Sequence, residues 1–189
     1  MTNRRDFFKS FAKPLVKSEE EMSSSLLRPP YGSTESLFQS ECPSCESKAC
    51  VASCDEKIIF ITKDGTPTLD FSKNGCTLCD ACAEVCEADV LSLSNTESAT
   101  RLNAVFKISL DACVAHHGVI CHSCKEPCID DAILFNGMFN PVIDDEKCTA
   151  CGFCISRCPT QAIDFRVMKL QGQTHGQLQG QPQGIAPTV

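Results

Sequence analysis

Cys76-Thr77-Leu78-Cys79-Asp80-Ala81-Cys82-Ala83-Glu84-Val85-Cys86 and, further along, Cys148-Thr149-Ala150-Cys151-Gly152-Phe153-Cys154-Ile155-Ser156-Arg157-Cys158-Pro159 carry one spacing, C-x2-C-x2-C-x3-C. Two further groups of four are variants of it. Cys42, Cys45, Cys50 and Cys54 are spaced C-x2-C-x4-C-x3-C, with Ser47 and Lys48 as the extra pair, while Cys113, Cys121, Cys124 and Cys128 are spaced C-x7-C-x2-C-x3-C. The four groups account for all 16 cysteines of the 189-residue chain.

Such a run is the bacterial ferredoxin motif for a [4Fe–4S] cube. Thiolates two residues apart can wrap a cube about 2.7 Å on edge only if the backbone loops around it with amides aimed at the sulfurs. The fourth cysteine starts a segment that leads away, and in two-cluster ferredoxins it ligates the other cluster. By that rule Cys42, Cys45 and Cys50 take Cys86, and Cys76, Cys79 and Cys82 take Cys54. Likewise Cys113, Cys121 and Cys124 take Cys158, while Cys148, Cys151 and Cys154 take Cys128. No cysteine is left over, so the sequence predicts four [4Fe–4S] clusters with these sixteen residues as cofactor and metal ligands. The longer middle spacing leaves the first site open to a distorted or [3Fe–4S] form. Two other readings fit less well. A disulfide scaffold needs an oxidising compartment and looser spacing, and structural zinc prefers C-x2-C pairs separated by a longer loop.

The composition points the same way. Cysteine supplies part of the 42% hydrophobic content, tryptophan is absent and aromatics total 6%, so a conventional core would be thin. The excess of 24 acidic over 17 basic residues excludes a nucleic-acid binder that relies on clustered positive charge. No apolar run reaches the roughly 18 residues of a membrane span, which excludes an integral membrane protein.

Cys76 and Cys148 lie 72 positions apart, and each half pairs a variant motif with a standard one. Between the motifs of each half sits a hairpin signal: Ile58 to Ile61 and Thr68 to Phe71 around Asp64-Gly65, then Ala132 to Phe135 and Pro141 to Ile143 around Asn136-Gly137. Short strands are expected after the closing motifs, at Val90 to Leu93 and Ala162 to Val167. The expected fold class is α+β, two tandem bacterial-type 2[4Fe–4S] ferredoxin-like units at 41–100 and 101–169, joined near Ser94 to Thr100. Each cluster would be nearly the whole core of its unit, coupling cluster insertion to folding.

The ends differ in character. Residues 170–189 are Gln/Gly-rich without an apolar period and are expected to be disordered. Residues 1–40 hold Arg4, Arg5, Lys9, Lys13 and Lys17 among Phe7, Phe8, Phe11, Leu15 and Val16, a basic amphipathic stretch broken by Pro14. It reads as a frayed helix or as a docking segment, for a partner protein or for an anionic membrane surface. Asn3-Arg4-Arg5-Asp6-Phe7-Phe8-Lys9 looks like a twin-arginine export motif, but the residues after it are too charged for an h-region, so the chain is expected to stay in the cytoplasm.

Arg28-Pro29-Pro30-Tyr31-Gly32, Phe38 shortly before the first cysteine, and Asp111-Ala112-Cys113 with its seven-residue loop to Cys121 resemble the NapF-type ferredoxins, over about residues 28–168. These are accessory proteins of the periplasmic nitrate reductase system. The resemblance implies a cytoplasmic iron–sulfur protein that contacts the nitrate reductase catalytic subunit before export and assists its maturation, by supplying electrons. The chain departs from the pattern in its first motif, and only Pro159 follows a fourth cysteine, with Asp55, Glu87 and Ile129 at the matching places. The NapG and MauM-like polyferredoxins share the RPP segment and the long third-motif loop but are exported.

Four oxidised clusters would add about −8 to the formal −7, which predicts a redox partner with a basic docking surface. Asp130, Asp131, Asp144, Asp145 and Glu146 lie beside cysteine motifs and are either part of that rim or solvated turn acids. His116, His117 and His122 read as solvent-facing or hydrogen-bonded, since the cysteines already fill the ligand sets; His175 is in the tail. With no phosphate loop, serine triad or supported carboxylate pair, the chain is not expected to be an enzyme by itself. Three functions remain: a maturation factor, a general electron carrier or oxidoreductase subunit, and a binding module whose clusters are structural.

Overall fold

Residues 26–168 are described by the computed structural model. The expectations for residues 1–25 and for the Gln/Gly-rich tail lie outside them. Three two-stranded antiparallel sheets carry the fold. Strands β1 (Ile59–Ile61) and β2 (Pro67–Leu69) form a hairpin in the register Ile59 to Leu69, turned at Gly65 with φ +78°. Strands β4 (Ile133–Asn136) and β5 (Phe139–Ile143) form a second, with a register shift at Phe135/Asn136 and Gly137 at φ +74°. Both turns need the left-handed backbone that glycine adopts without a Cβ clash.

The third sheet pairs β3 (Ala104–Ile108) with β6 (Ile163–Val167), Ala104 opposite Val167 and Ile108 opposite Ile163. The expected strand after the closing motif of the first half is corrected here. Val90 to Leu93 forms only an isolated bridge between Leu91 and Gly32. β3 has no counterpart there, and Arg28 to Ser33 occupies that edge instead. The sequence reading passed over β3, although Leu102, Ala104 and Phe106 alternate in burial along it.

The helices are short: α1 (Glu35–Glu41), α2 (Ala49–Ala52), α3 (Ala81–Glu84) and α4 (Phe153–Arg157). The last three each contain the third cysteine of a motif: Cys50, Cys82 and Cys154. Lys48 at φ 44° and Gly152 at φ +86° precede α2 and α4 in left-handed geometry, so the loop reverses before the helix leaves it.

One hydrophobic cluster runs through both halves, from Leu27, Phe38, Ile58 and Phe71 to Leu102, Phe106, Ile133 and Ile163. At the joint Phe71 meets Phe106 and Phe165 edge-on, each at 6.1 Å between centroids. Gly75 lies so close to the fourth motif that an added Cβ would sit 2.5 Å from the Phe153 amide nitrogen and 2.7 Å from the Cys151 carbonyl oxygen. Across the same joint the Cys76 N–H donates to the Cys151 carbonyl at 2.6 Å.

A strap of residues 27–33 ties these parts together. The Leu27 carbonyl accepts from the Leu69 amide at 2.9 Å and the Thr68 hydroxyl at 3.0 Å, and the Arg28 amide donates to Asn103 Oδ1 at 3.2 Å. The Arg28 side chain is only 1% exposed. It pairs with Glu35, donates to Thr66 Oγ1 at 3.0 Å and the Pro67 carbonyl at 2.6 Å, and lies 4.6 Å from the Phe38 ring centroid. A buried guanidinium is tolerated only when its donors are matched in this way.

Candidate cluster sites

The structure brings the sixteen cysteines together in four cavities, and each cavity is lined by four of them. The sets are the crossed ones. Cys42, Cys45 and Cys50 share a cavity with Cys86, and Cys76, Cys79 and Cys82 share one with Cys54. Cys148, Cys151 and Cys154 line a third with Cys128, and Cys113, Cys121 and Cys124 a fourth with Cys158. With their open mouths the cavities span about 330 to 600 Å³, room for a multinuclear group. Among the described residues no three or more His, Cys, Asp or Glu side chains are arranged to hold a single metal ion. Thiols spaced around a cavity, instead of converging on a point, suit a cube better than zinc.

The backbone around these cavities repeats. The third residue after each fourth cysteine is left-handed though none is glycine: Lys57 at φ 54°, Asp89 at 53°, Asp131 at 49° and Gln161 at 51°. Each returns its N–H to the carbonyl of that cysteine, at 3.1, 3.1, 3.3 and 3.3 Å. The turn presents the next amides to sulfur. Leu91 donates to Cys86 Sγ at 3.4 Å, Ala132 to Cys128 Sγ at 3.3 Å and Ala162 to Cys158 Sγ at 3.2 Å. Leu78, itself at φ 55°, does the same for Cys76 Sγ at 3.4 Å. Amide donors aimed at sulfur stabilise a thiolate, the form in which cysteine binds metal.

Without a positive partner, crowding acts the other way. Burial, reinforced by neighbouring cysteines, pushes the Cys82 thiol up to about 12 and the Cys42, Cys76 and Cys124 thiols up to about 11. Cys50, Cys148, Cys151 and Cys154 are raised for the same first reason. The thiols that burial raises therefore call for a cationic core to hold them as thiolates. A second sign of fit is Arg101 Nε, buried without a hydrogen-bond partner, whose guanidinium pulls the Cys148 thiol down against burial. Iron–sulfur clusters fit this donor set.

The cavities follow one another in space. Helices α2 and α3 pack together between the first and second, the Cys76 to Cys151 hydrogen bond joins the second to the third, and Cys154 interacts with Cys124 between the third and fourth. The order is thus a single file.

The remaining candidates fall elsewhere. None of the histidines lines the fourth cavity. His116 Nε2 pairs with the Pro141 carbonyl at 3.2 Å, His117 Nε2 with the Asp111 carbonyl at 3.0 Å, and the His122 ring packs 4.6 Å from Phe135. Of the rim acids, Asp130 lines the third cavity and accepts from Thr149 at 2.7 Å, while Asp131 pairs with Lys125 at 2.7 Å and Asp144 with Lys147 at 3.8 Å. No helix among the described residues is long and apolar enough to cross a membrane.

Tyr31 carries no site role in the sequence reading, and Lys48 stands there only as part of the insertion that lengthens the first motif. The Tyr31 hydroxyl donates to Asp80 inside the second motif, and this bond, then burial, raises its pKa to about 12. The only sequence signal was its place in the Arg28 to Gly32 segment.

Comparison with known proteins gives a 4Fe-4S binding domain at residues 141–164. The ferredoxin-type protein NapF of Escherichia coli K12 is 33% identical over 141 residues, covering 72% of this chain and 82% of the relative. The methylamine utilization ferredoxin-type protein MauM of Methylophilus methylotrophus is 28% identical over 177 residues, covering 84% and 77%. The ferredoxin-type protein NapG of Escherichia coli K12 is 26% identical over 166 residues, covering 76% and 71%.

Proposed function

Since this chain belongs to the NapF family of ferredoxin-type iron–sulfur proteins, we propose that it is a four-cluster electron-transfer protein that acts in the cytoplasm on the precursor of a periplasmic nitrate reductase catalytic subunit, assisting its maturation before export. The carrying observation is the single file of four cavities, each lined by one crossed set of cysteines. In this reading two tandem ferredoxin-like units, 41–100 and 101–169, each hold two [4Fe–4S] clusters. A bound cluster supplies one-electron chemistry.

The protein's own residues do the rest. The sixteen cysteines hold the centres, and the amides of Leu78, Leu91, Ala132 and Ala162 fix the thiolates and take up part of their charge. Exposed acids such as Asp130 and Asp145 give the surface the negative sign that attracts a basic partner. The N-terminal segment 1–40, with its basic and aromatic side chains between Arg4 and Lys17, is the proposed docking segment.

Two measurements test this. Anaerobically purified protein should carry about sixteen irons per chain. Affinity purification from the cytoplasmic fraction should recover the catalytic subunit with its signal peptide still attached. Recovery of a dehydrogenase instead would replace maturation by general electron carriage. The likeness to MauM and NapG favours a second reading, an exported electron carrier, which finding the protein in the periplasm would establish.

A further inference from the structure

Ser47 and Lys48, the two residues that lengthen the first motif, do more than widen its loop. Lys48 stands in left-handed geometry at φ 44° and ψ 37°, and its side chain turns back to line the cavity of Cys42, Cys45, Cys50 and Cys86. Its ammonium donates to the Cys42 carbonyl and, at 3.0 Å, to the Gly65 carbonyl. Both acceptors are neutral, and Lys48 makes no ion pair among the described residues. The positive charge therefore stands uncompensated at this cavity, apart from Glu87, which is exposed at the rim.

Ser47 adds to it. Its hydroxyl lies 3.6 Å from Cys45 Sγ. None of the other three cavities has a basic residue in its lining. Elsewhere the parallels are partial: Arg101 bears on Cys148 but does not line its cavity and has Nη1 taken by the Asp145 carbonyl at 2.9 Å, and Ser123 Oγ lies 3.6 Å from Cys121 Sγ, so Lys48 is what sets the first cavity apart.

Reduction adds one negative charge to a centre with no bond made or broken. A fixed cation and donors aimed at the thiolates stabilise that added charge. We propose that the Ser47–Lys48 insertion raises the reduction potential of the centre held by Cys42, Cys45, Cys50 and Cys86. Lys48 is a positioning and tuning residue, not a ligand. The inference rests on the reading that the cysteine sets hold clusters.

The test is an anaerobic redox titration of the full chain, with dithionite as reductant, spin-resonance detection of each reduced centre and an iron count on the same samples. K48Q should move one midpoint to lower potential and leave the others in place at full iron content. K48R should keep the wild-type value, and S47A should move the same midpoint down by less. The proposal is overturned if K48Q at full iron content leaves every midpoint unmoved, or if K48R falls as far as K48Q. It is equally overturned if K48Q loses the iron of one centre, because Lys48 would then be bracing the loop instead of tuning the site. A wild-type protein without four reducible centres would sink the underlying reading before any variant is compared.

Discussion

Replacing Gly75 by alanine probes the joint between the two halves, and the sign of its effect is informative. Gly75 has ordinary negative or extended φ, so in open space the change would stabilise by about 0.4–1 kcal/mol through the unfolded chain. Here the new Cβ would meet two backbone atoms, the Phe153 nitrogen at 2.5 Å and the Cys151 oxygen at 2.7 Å. Neither can swing aside as a side chain would. The loops must part by nearly an ångström, an overpacking cost of about 1–3 kcal/mol, and the Cys76 to Cys151 hydrogen bond goes with it, about 1 kcal/mol more. Offsetting the entropic gain leaves a net loss of about 1–3 kcal/mol. The assay is anaerobic urea denaturation followed by far-UV circular dichroism and cluster absorbance. Gly118→Ala is the control, since its Cβ would meet nothing within 4 Å and only the φ of +80° is strained. A Gly75→Ala midpoint at or above wild type would refute the close approach of the second and third cavities.

Other changes test separate parts. Cys54→Ser should cost iron and signal from the cavity of Cys76, Cys79 and Cys82, while Cys86→Ser should empty the cavity of Cys42, Cys45 and Cys50; iron counts with spin-resonance spectra that assign each loss to the serine's own motif would reject the crossing. Arg28→Ala strips Thr66 and Pro67 of their buried donor, but Glu35 is 39% exposed and regains water, so the loss should be about 2–3 kcal/mol, below the 3–5 of a fully buried broken pair; a shift under about 0.5 would show the strap to be incidental. Tyr31 is the one tyrosine of the chain, so phenolate absorbance reads it alone. Its pKa is raised in the fold, so its contribution is full below pH 10 and is lost as pH rises through about 12; a phenolate midpoint near 10 in the folded protein would disprove the bond to Asp80.

Much of the site was legible because cysteine spacing is chemistry written in sequence. The grouping, the crossing and both hairpins follow from residues whose roles leave few options, such as Gly65 and Gly137 in tight turns. What stayed hidden depends on partners distant in the chain. Arg28 stands in the sequence only as part of the Arg28 to Gly32 segment, and its burial shows once Thr66, Pro67 and Glu35 enclose it. Lys57, Asp89, Asp131 and Gln161 give no hint of left-handed backbone, since glycine is the usual mark of it. Gly75 is small because the loop of the fourth motif presses on it, and Gly152 because the Phe71 ring does, in addition to its left-handed φ. The second half closes its edge with β3 against β6, and the first half uses the strap, an asymmetry that the 72-residue repeat conceals.

The strap also sets a clock. Arg28 leaves the ribosome long before its partner Asn103, which lies 75 positions later, and at about 5–20 residues per second that interval is roughly 4–15 s. Within that interval the first cysteine group is complete once Cys54 is made and the second once Cys86 is, 17 positions before Asn103. The strap's bonds to Thr66, Pro67, Leu69 and Asp80 can therefore close over the first half from that half's own residues, and only the bond to Asn103 waits for the second.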